Sequence, residues 1–187
     1  GVRAHKNAPF AVSNVNSKQL SEFARTGQEL PFLFSQTPGV LAWGENGLGT
    51  GTSYMRIRGA GDSRINVTID GVPLNSPEDQ CVFWANMNSY ANLLGSVQIQ
   101  RGVGTSTNGD GAFGGTVSLS TKTPMTSPMA ELTGSFGSYN TWKAGVRFST
   151  GLIGQHLIFD GAYNETNTNG YIHGTGGSSG SYYGGLT

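Results

Sequence analysis

The chain has 187 residues, room for one domain of ordinary size and a piece of a second. Its 11 basic and 11 acidic residues cancel, and charged residues make up only 12% of it. This argues against a nucleic-acid binder, which needs a basic stripe, and against a polybasic membrane-surface segment. With 30 glycines and 10% aromatics, the surface must be built from Asn, Ser, Thr, Gln and Gly, a profile of β-rich envelope or secreted proteins rather than of disordered linkers.

No apolar run opens the chain, so Gly1 to Lys6 reads as no signal peptide. Ala11, Val12 and Val15 predict a short strand. Asn16 caps a helix, with Gln19 three residues on and Leu20, Phe23 and Ala24 at helical spacing. Gly27 ends it. A second helix over Glu29 to Gln36 places Leu30, Leu33 and Phe34 on one face, tolerates Pro31 in its first turn and stops at Pro38-Gly39. Trp43 to Ser53 holds four glycines without a strand pattern and reads as a loop.

Strands follow. Tyr54, Arg56 and Arg58 alternate with Met55 and Ile57, and Ile65, Val67 and Ile69 with Asn66, Thr68 and Asp70. Asp70-Gly71 is a hairpin turn signal. Ser89 to Leu94 predicts a short helix ended by Gly95. Gln80 to Gln100 carries no charge, yet its Asn, Ser and Gln disqualify it as a membrane helix. Val97 with Ile99, and Val117 with Leu119, mark two more strands. The mixture predicts a small α+β domain, residues 1–124, and a different region, residues 125–187.

In the second region Trp142, Ala144, Val146 and Phe148 share one strand face, and Lys143, Gly145, Arg147 and Ser149 the other. Leu157, Phe159, Gly161 and Tyr163 alternate less cleanly with Ile158, Asp160, Ala162 and Asn164. These runs have the length of tilted membrane strands. Gly170 to Thr187 reads as a Gly/Ser/Tyr loop leading into a further strand. So few strands close no membrane barrel, so the chain is expected to be a piece of a longer protein. Its unpaired strands should join another copy, fold back on the first domain or be poorly ordered.

Catalytic chemistry finds no support. Gly109 to Gly114 fits G-x-G-x-x-G, but a strand pattern follows it where a dinucleotide site needs a helix. His5, His156 and His173 are isolated, and Cys81 stands alone. Asp62, Asp70, Glu78 and Asp79 read as surface carboxylates. No catalytic residue, metal or cofactor is expected.

Six segments carry a family likeness. They are Pro9 to Ser13, Gln36 to Val40, Met55 to Gly59, Ile69 to Pro73, Val97 to Gly102 and Gly109 to Lys122. In order, they resemble the plug domain of TonB-dependent outer-membrane receptors: its opening strand, its PGV, IRG, IDGVP and IEVLRGP motifs, and its glycine-rich end. Ala130 onward then resembles the first strands of the family's barrel. The resemblance implies an α+β plug with short helices and a small mixed four-stranded sheet, followed by antiparallel β-strands of a truncated outer-membrane barrel. It implies active transport across a Gram-negative outer membrane, gated by the plug, with TonB engaging a TonB box upstream of this chain. Arg58 and Arg101 would pair with barrel glutamates beyond Thr187. Apical loops, Trp43 to Thr52 and Asn75 to Asn88, would meet an extracellular ligand. Their candidates are Trp43, Glu45, Asn46, Gln80, Phe83, Trp84 and Asn86, with core packing the alternative for Phe83 and Trp84. Departures include Val103 where the family has proline, and Gln98 and Gln100 in place of acidic or apolar residues. A missing glycan-importer motif leans the ligand toward a metal chelate, haem or a cobalamin-like molecule. The rival reading is a secreted β-rich carbohydrate-binding or adhesion module, which predicts a self-contained sheet.

Overall fold

A computed structural model describes residues 4, 11–26, 28–45, 53–87, 90–103, 112–123, 126–170, 173–174 and 176–187. It consists of a mixed sheet with two short helices, a small hairpin, and a separate four-stranded antiparallel sheet.

Strand β1 (Ala11–Val15) leads into helix α1 (Ser17–Ala24). The predicted capping box is present: Gln19 donates its backbone N–H to Asn16 Oδ1 at 3.0 Å, and Asn16 N–H donates to Gln19 Oε1 at 3.1 Å. Leu20, Phe23 and Ala24 are the buried face. Gly27 lies outside the described residues. Helix α2 (Leu30–Phe34) carries Pro31 in its first turn, where no helical hydrogen bond is lost.

Strands β2 (Val40–Gly44) and β3 (Ser53–Ile57) pair antiparallel. The loop expected from Trp43 to Ser53 is therefore shorter, because both end residues sit in strands. Val40 is buried, while Leu41 and Trp43 are exposed. That alternation was hidden by Pro38-Gly39 before it and the glycines after it. Strand β4 (Ile65–Ile69) turns at Asp70-Gly71 into β5 (Val72–Pro73). Both turn residues have positive φ, 47° and 85°, as a two-residue hairpin turn demands. Asp70 also accepts the N–H and hydroxyl of Thr121, at 3.0 and 2.7 Å.

The expected helix over Ser89 to Leu94 is only a 3₁₀ turn, Tyr90–Asn92, and strand β6 (Leu94–Arg101) starts at once. Gly95 ends no helix. A Cβ there would stand 3.1 Å from the backbone of Thr121 and Lys122, so glycine permits the close approach. Strand β7 (Gly115–Thr121) follows the glycine-rich segment, as the rejection of a dinucleotide site required. The sheet order is β1-β6-β7-β4-β5, with β4 and β7 parallel and the other pairs antiparallel. Four strands have five residues or more, and the fifth, β5, has two. Leu20, Phe34, Leu30, Leu33, Met55, Ile57, Ile65, Leu94, Ile99 and Leu119 fill the core.

The change of sheet falls between Thr121 and Met129. Strands β8 (Met129–Gly137), β9 (Thr141–Ser149), β10 (Phe159–Thr168) and β11 (Gly177–Leu186) form an antiparallel meander. The segment expected to open as a long loop is thus mostly strand. The register puts Leu132, Phe136, Val146, Phe148, Phe159, Tyr163 and Tyr182 on one face, and all are exposed. Lys143, Asp160, Asn164, Thr166, Thr168 and Ser181 occupy the opposite face, and all are buried. Apolar outside and polar inside inverts the pattern of a soluble sheet and matches a wall between lipid and a polar lumen. These strands contact the first domain, as one of the expected fates describes. Lys143 Nζ donates to the Ala24 carbonyl at the end of α1, and Asn92 Nδ2 to Asn164 Oδ1 at 2.8 Å.

Candidate functional site

The β2–β3 hairpin buries Val40, Ser53, Met55 and Ile57 and turns Leu41, Trp43, Tyr54 and Arg56 outward. The two sets follow from strand alternation. Trp43 faces Tyr54 across the pair; their rings stack at 5.7 Å between centroids and 23° between planes. The Arg56 guanidinium carbon lies 5.6 Å from the Trp43 ring centre, within cation–π range. Tyr54 donates its hydroxyl to Glu45 Oε1 at 2.9 Å. That hydrogen bond, and then the carboxylate's charge, push the phenol pKa up. The result is an exposed patch of two flat rings, one cation and one carboxylate–phenol pair.

Two members of this patch, Tyr54 and Arg56, were not among the residues singled out. The signal was there: the alternation of Tyr54 and Arg56 with Met55 and Ile57 already assigned them to a common face, and only their meeting with Trp43 required the pairing.

Beneath the patch lies a buried carboxyl. Glu29, 1% exposed, precedes α2 and accepts the Ser53 hydroxyl from the first residue of β3. Its Oε1 has no partner. Burial, opposed by the Ser53 bond, pushes its pKa up to about 7.

The second candidate loop is organised by Asn75. Its Oδ1 accepts Val67 N–H, and its Nδ2 serves the carbonyls of Ile65 and Gln80, each at 2.8 Å. Gln80 is exposed with φ 58°, and Phe83 is 59% exposed. Trp84, at 2% exposure, instead packs edge-on against Phe34 at 5.7 Å, so its ring is in the core and offers no surface to a ligand. Among the described residues, no hydrogen bond, ion pair or ring contact joins Gln80 or Phe83 to the Trp43 patch. Asn46 lies outside the described residues; Asn86 has its backbone in the 3₁₀ turn Trp84–Met87, and its side chain lies outside them too.

Arg58 and Arg101 converge on the Pro38-Gly39 turn. Arg58, at φ 50°, donates its N–H to the Gly39 carbonyl at 2.7 Å, and Arg101 Nη1 donates to the Pro38 carbonyl at 2.9 Å. A Cβ on Gly39 would lie 3.5 Å from Arg58 Cγ and 4.0 Å from Arg101 Cδ, so the glycine seats both side chains. Neither has a carboxylate partner among the described residues, where the ion pair formed is Arg147–Asp160 at 3.4 Å.

A helix-bearing mixed sheet lying against a wall that is polar on the facing side is the architecture of a plugged barrel. Residues 4–116 match the family model of the TonB-dependent receptor plug domain. The match spans more than half of the chain, and the chain belongs to that family.

Three solved structures share the fold. FpvA of P. aeruginosa, solved with heterologous pyoverdines, is 18% identical with a TM-score of 0.77, over 97% of this chain and 23% of that one. The siderophore receptor PirA of Acinetobacter baumannii is 22% identical (TM-score 0.68; 88% of this chain, 25% of that one). The ferric yersiniabactin uptake receptor FyuA of Yersinia pestis is 17% identical (TM-score 0.67; 95% and 28%). This chain therefore spans about a quarter of the length of these receptors. No curated protein sequence matches it.

Proposed function

We propose that this chain is the plug, residues 1–124, and the opening barrel strands, residues 125–187, of a receptor that carries a siderophore-type metal chelate across a Gram-negative outer membrane. The observation that carries this reading is the polar face of the four-stranded wall lying against helix α1 and the Asn92 turn of a domain that matches the plug family. The named neighbours are siderophore receptors, which favours a metal chelate over haem or a cobalamin-like molecule within the class the sequence suggested.

In this reading the ligand lands on the Trp43 patch. Two flat rings and the Arg56 cation suit an anionic chelate with planar groups, and Glu45 fixes the Tyr54 hydroxyl. Gln80 and Phe83 supply a second contact. Bound ligand shifts the plug toward a state that exposes its upstream segment, which requires tighter binding to that state. TonB adds a strand to the segment and pulls. Arg58 and Arg101 meet barrel carboxylates beyond Thr187, which answers their lack of a carboxylate partner among the described residues. A self-contained adhesion module would seal its sheet, whereas β8 and β11 are paired on one side only among the described residues.

The test is a binding screen of the full-length receptor against ferric chelates, haem, cobalamin and oligosaccharides. A ferric chelate should bind, and W43A should weaken it about tenfold, the loss of one stacking side chain at roughly 1.5 kcal/mol. Binding of oligosaccharides alone would refute the reading.

A further inference from the structure

Gln98 is one of the departures from the family pattern, and the transport reading gives it no role. It lies on β6 with 7% exposure, on the face of the sheet that holds Gln100, Asn66, Thr68 and Thr116, all buried and polar. Its side chain leaves the sheet to meet Ala4, 94 positions earlier. Ala4 donates its backbone N–H to Gln98 Oε1 at 2.7 Å, and Gln98 Nε2 donates to the Ala4 carbonyl at 3.0 Å. The second Nε2 hydrogen goes to Asn14 Oδ1 at 3.0 Å, and Asn14 is the register partner of Gln98 on β1.

A primary amide offers an acceptor and a donor side by side, as a peptide group does. Gln98 therefore pairs with both backbone groups of a single residue, as one residue of an antiparallel ladder pairs with another. The network also fixes which way the amide points. Ala4 O and Asn14 Oδ1 both require the nitrogen, and Ala4 N–H requires the oxygen. A carboxylate in this place, the more typical residue of the family motif, accepts the Ala4 N–H but has no hydrogen for the Ala4 carbonyl. An apolar residue does neither.

We infer that Gln98 is a clasp that holds the chain at Ala4 on the plug, upstream of edge strand β1, and so sets how readily that upstream segment is released. The inference rests on the transport reading for its purpose but not for its geometry. Asn14 is the positioning residue of the clasp. Because β1 lies at the edge of the sheet, Ala4 precedes the first ladder strand that a pull from upstream would meet.

The sequence supplies its own probe. Arg3 and Lys6 flank Ala4, so trypsin cuts on either side of the clasp when it opens. The experiment uses the full-length receptor in detergent, without ligand or TonB, and follows the rate of cleavage after Arg3 and Lys6. At roughly fivefold for each net hydrogen bond lost, Q98L should speed cleavage by ten- to thirtyfold and Q98E by about fivefold, while β6 and β7 keep their amide protection. A4P removes one donor outside the core and should speed cleavage after Lys6 even if Q98L fails to fold. Unchanged rates in Q98E and A4P, or cleavage of the unaltered receptor as fast as that of a free peptide, would overturn the clasp. A receptor that binds no ferric chelate yet shows these rates would overturn the transport reading and leave the clasp standing.

Discussion

Replacing Glu29 with Gln tests the buried carboxyl under the hairpin. Its pKa stands near 7 against an ordinary 4.5, chiefly because burial disfavours the charge. Between those two values the folded protein binds more protons than the unfolded chain. Stability must therefore fall as pH rises from about 4.5 to about 7, and level off beyond. At about 1.4 kcal/mol for each pH unit separating the two values, the ionised form costs about 3 kcal/mol. Gln cannot ionise, so E29Q loses the pH dependence. It keeps an oxygen for Ser53, but its NH₂ enters the place where Oε1 had no partner, at a cost of about 1–3 kcal/mol. The clear signature is thus the slope with pH and not the absolute stability. The assay is hydrogen exchange of the amides of Leu30–Phe34 and Ser53–Ile57 in the full-length receptor, comparing unaltered protein and E29Q at each pH. Intrinsic exchange cancels in that ratio. The variant should gain in relative protection by up to about a hundredfold between about pH 5 and about pH 8. A ratio constant with pH would show that Glu29 is ionised throughout, and the burial argument would fail.

Three further outcomes follow from local geometry. Gly115→Ala would put a methyl 2.6 Å from the Gln100 carbonyl oxygen and 3.1 Å from Ile57 Cδ1, so β6 and β7 must separate; a loss of about 1–3 kcal/mol is expected in plug unfolding by denaturant. Asn16→Ala removes the capping box of α1 and should cost about 1 kcal/mol, read as faster exchange in Ser17–Ala24. Leu132, 81% exposed on the apolar face of the wall, should cost about 2–4 kcal/mol when changed to Arg in a receptor folded into lipid vesicles, and a neutral result would show that this face does not meet lipid.

Which features were legible in the sequence depends on how far their causes extend along the chain. The Asn16–Gln19 box, the Leu20, Phe23 and Ala24 stripe and the Asp70-Gly71 turn depend on neighbours within four residues, and all three are present. Strand β9 was equally plain, because lipid-type and lumen-type residues alternate without a break from Trp142 to Ser149. Gly95 misled because glycine after an apolar pair is both a helix stop and a point of close approach; only the distant Thr121 and Lys122 decide between them. For Trp84 the sequence left ligand contact and core packing both open, and only Phe34, fifty residues earlier, decided it by giving the ring a core partner. The link from Glu29 to Ser53, and that from Ala4 to Gln98, could not be inferred at all, since neither residue type signals a partner so far away.

The shortage of charge in this chain has a mechanical consequence at the seam between plug and wall. The side-chain hydrogen bonds described there are Lys143 to the Ala24 carbonyl and Asn92 to Asn164, and the Arg147–Asp160 ion pair lies wholly within the wall. No described ion pair crosses the seam. Amides exchange a protein partner for water at little net cost. A charge separated from its mate inside the barrel would instead be left unpaired, at about 3–5 kcal/mol. In the transport reading, a plug that must move is therefore better held without ion pairs, and the Lys143 ammonium meets a neutral carbonyl and no carboxylate at the seam. The double variant N92D/N164K converts the 2.8 Å amide pair into an ion pair at the same place. If the transport reading holds, it should leave ferric-chelate binding at the cell surface unchanged and slow TonB-dependent uptake by tenfold or more, about 1.4 kcal/mol of the separation cost appearing in the barrier. Each single variant should slow uptake less than the pair. Uptake at the unaltered rate in the double variant, with the ion pair verified in its structure, would mean that the plug does not part from this wall during transport, and that the low charge has another cause.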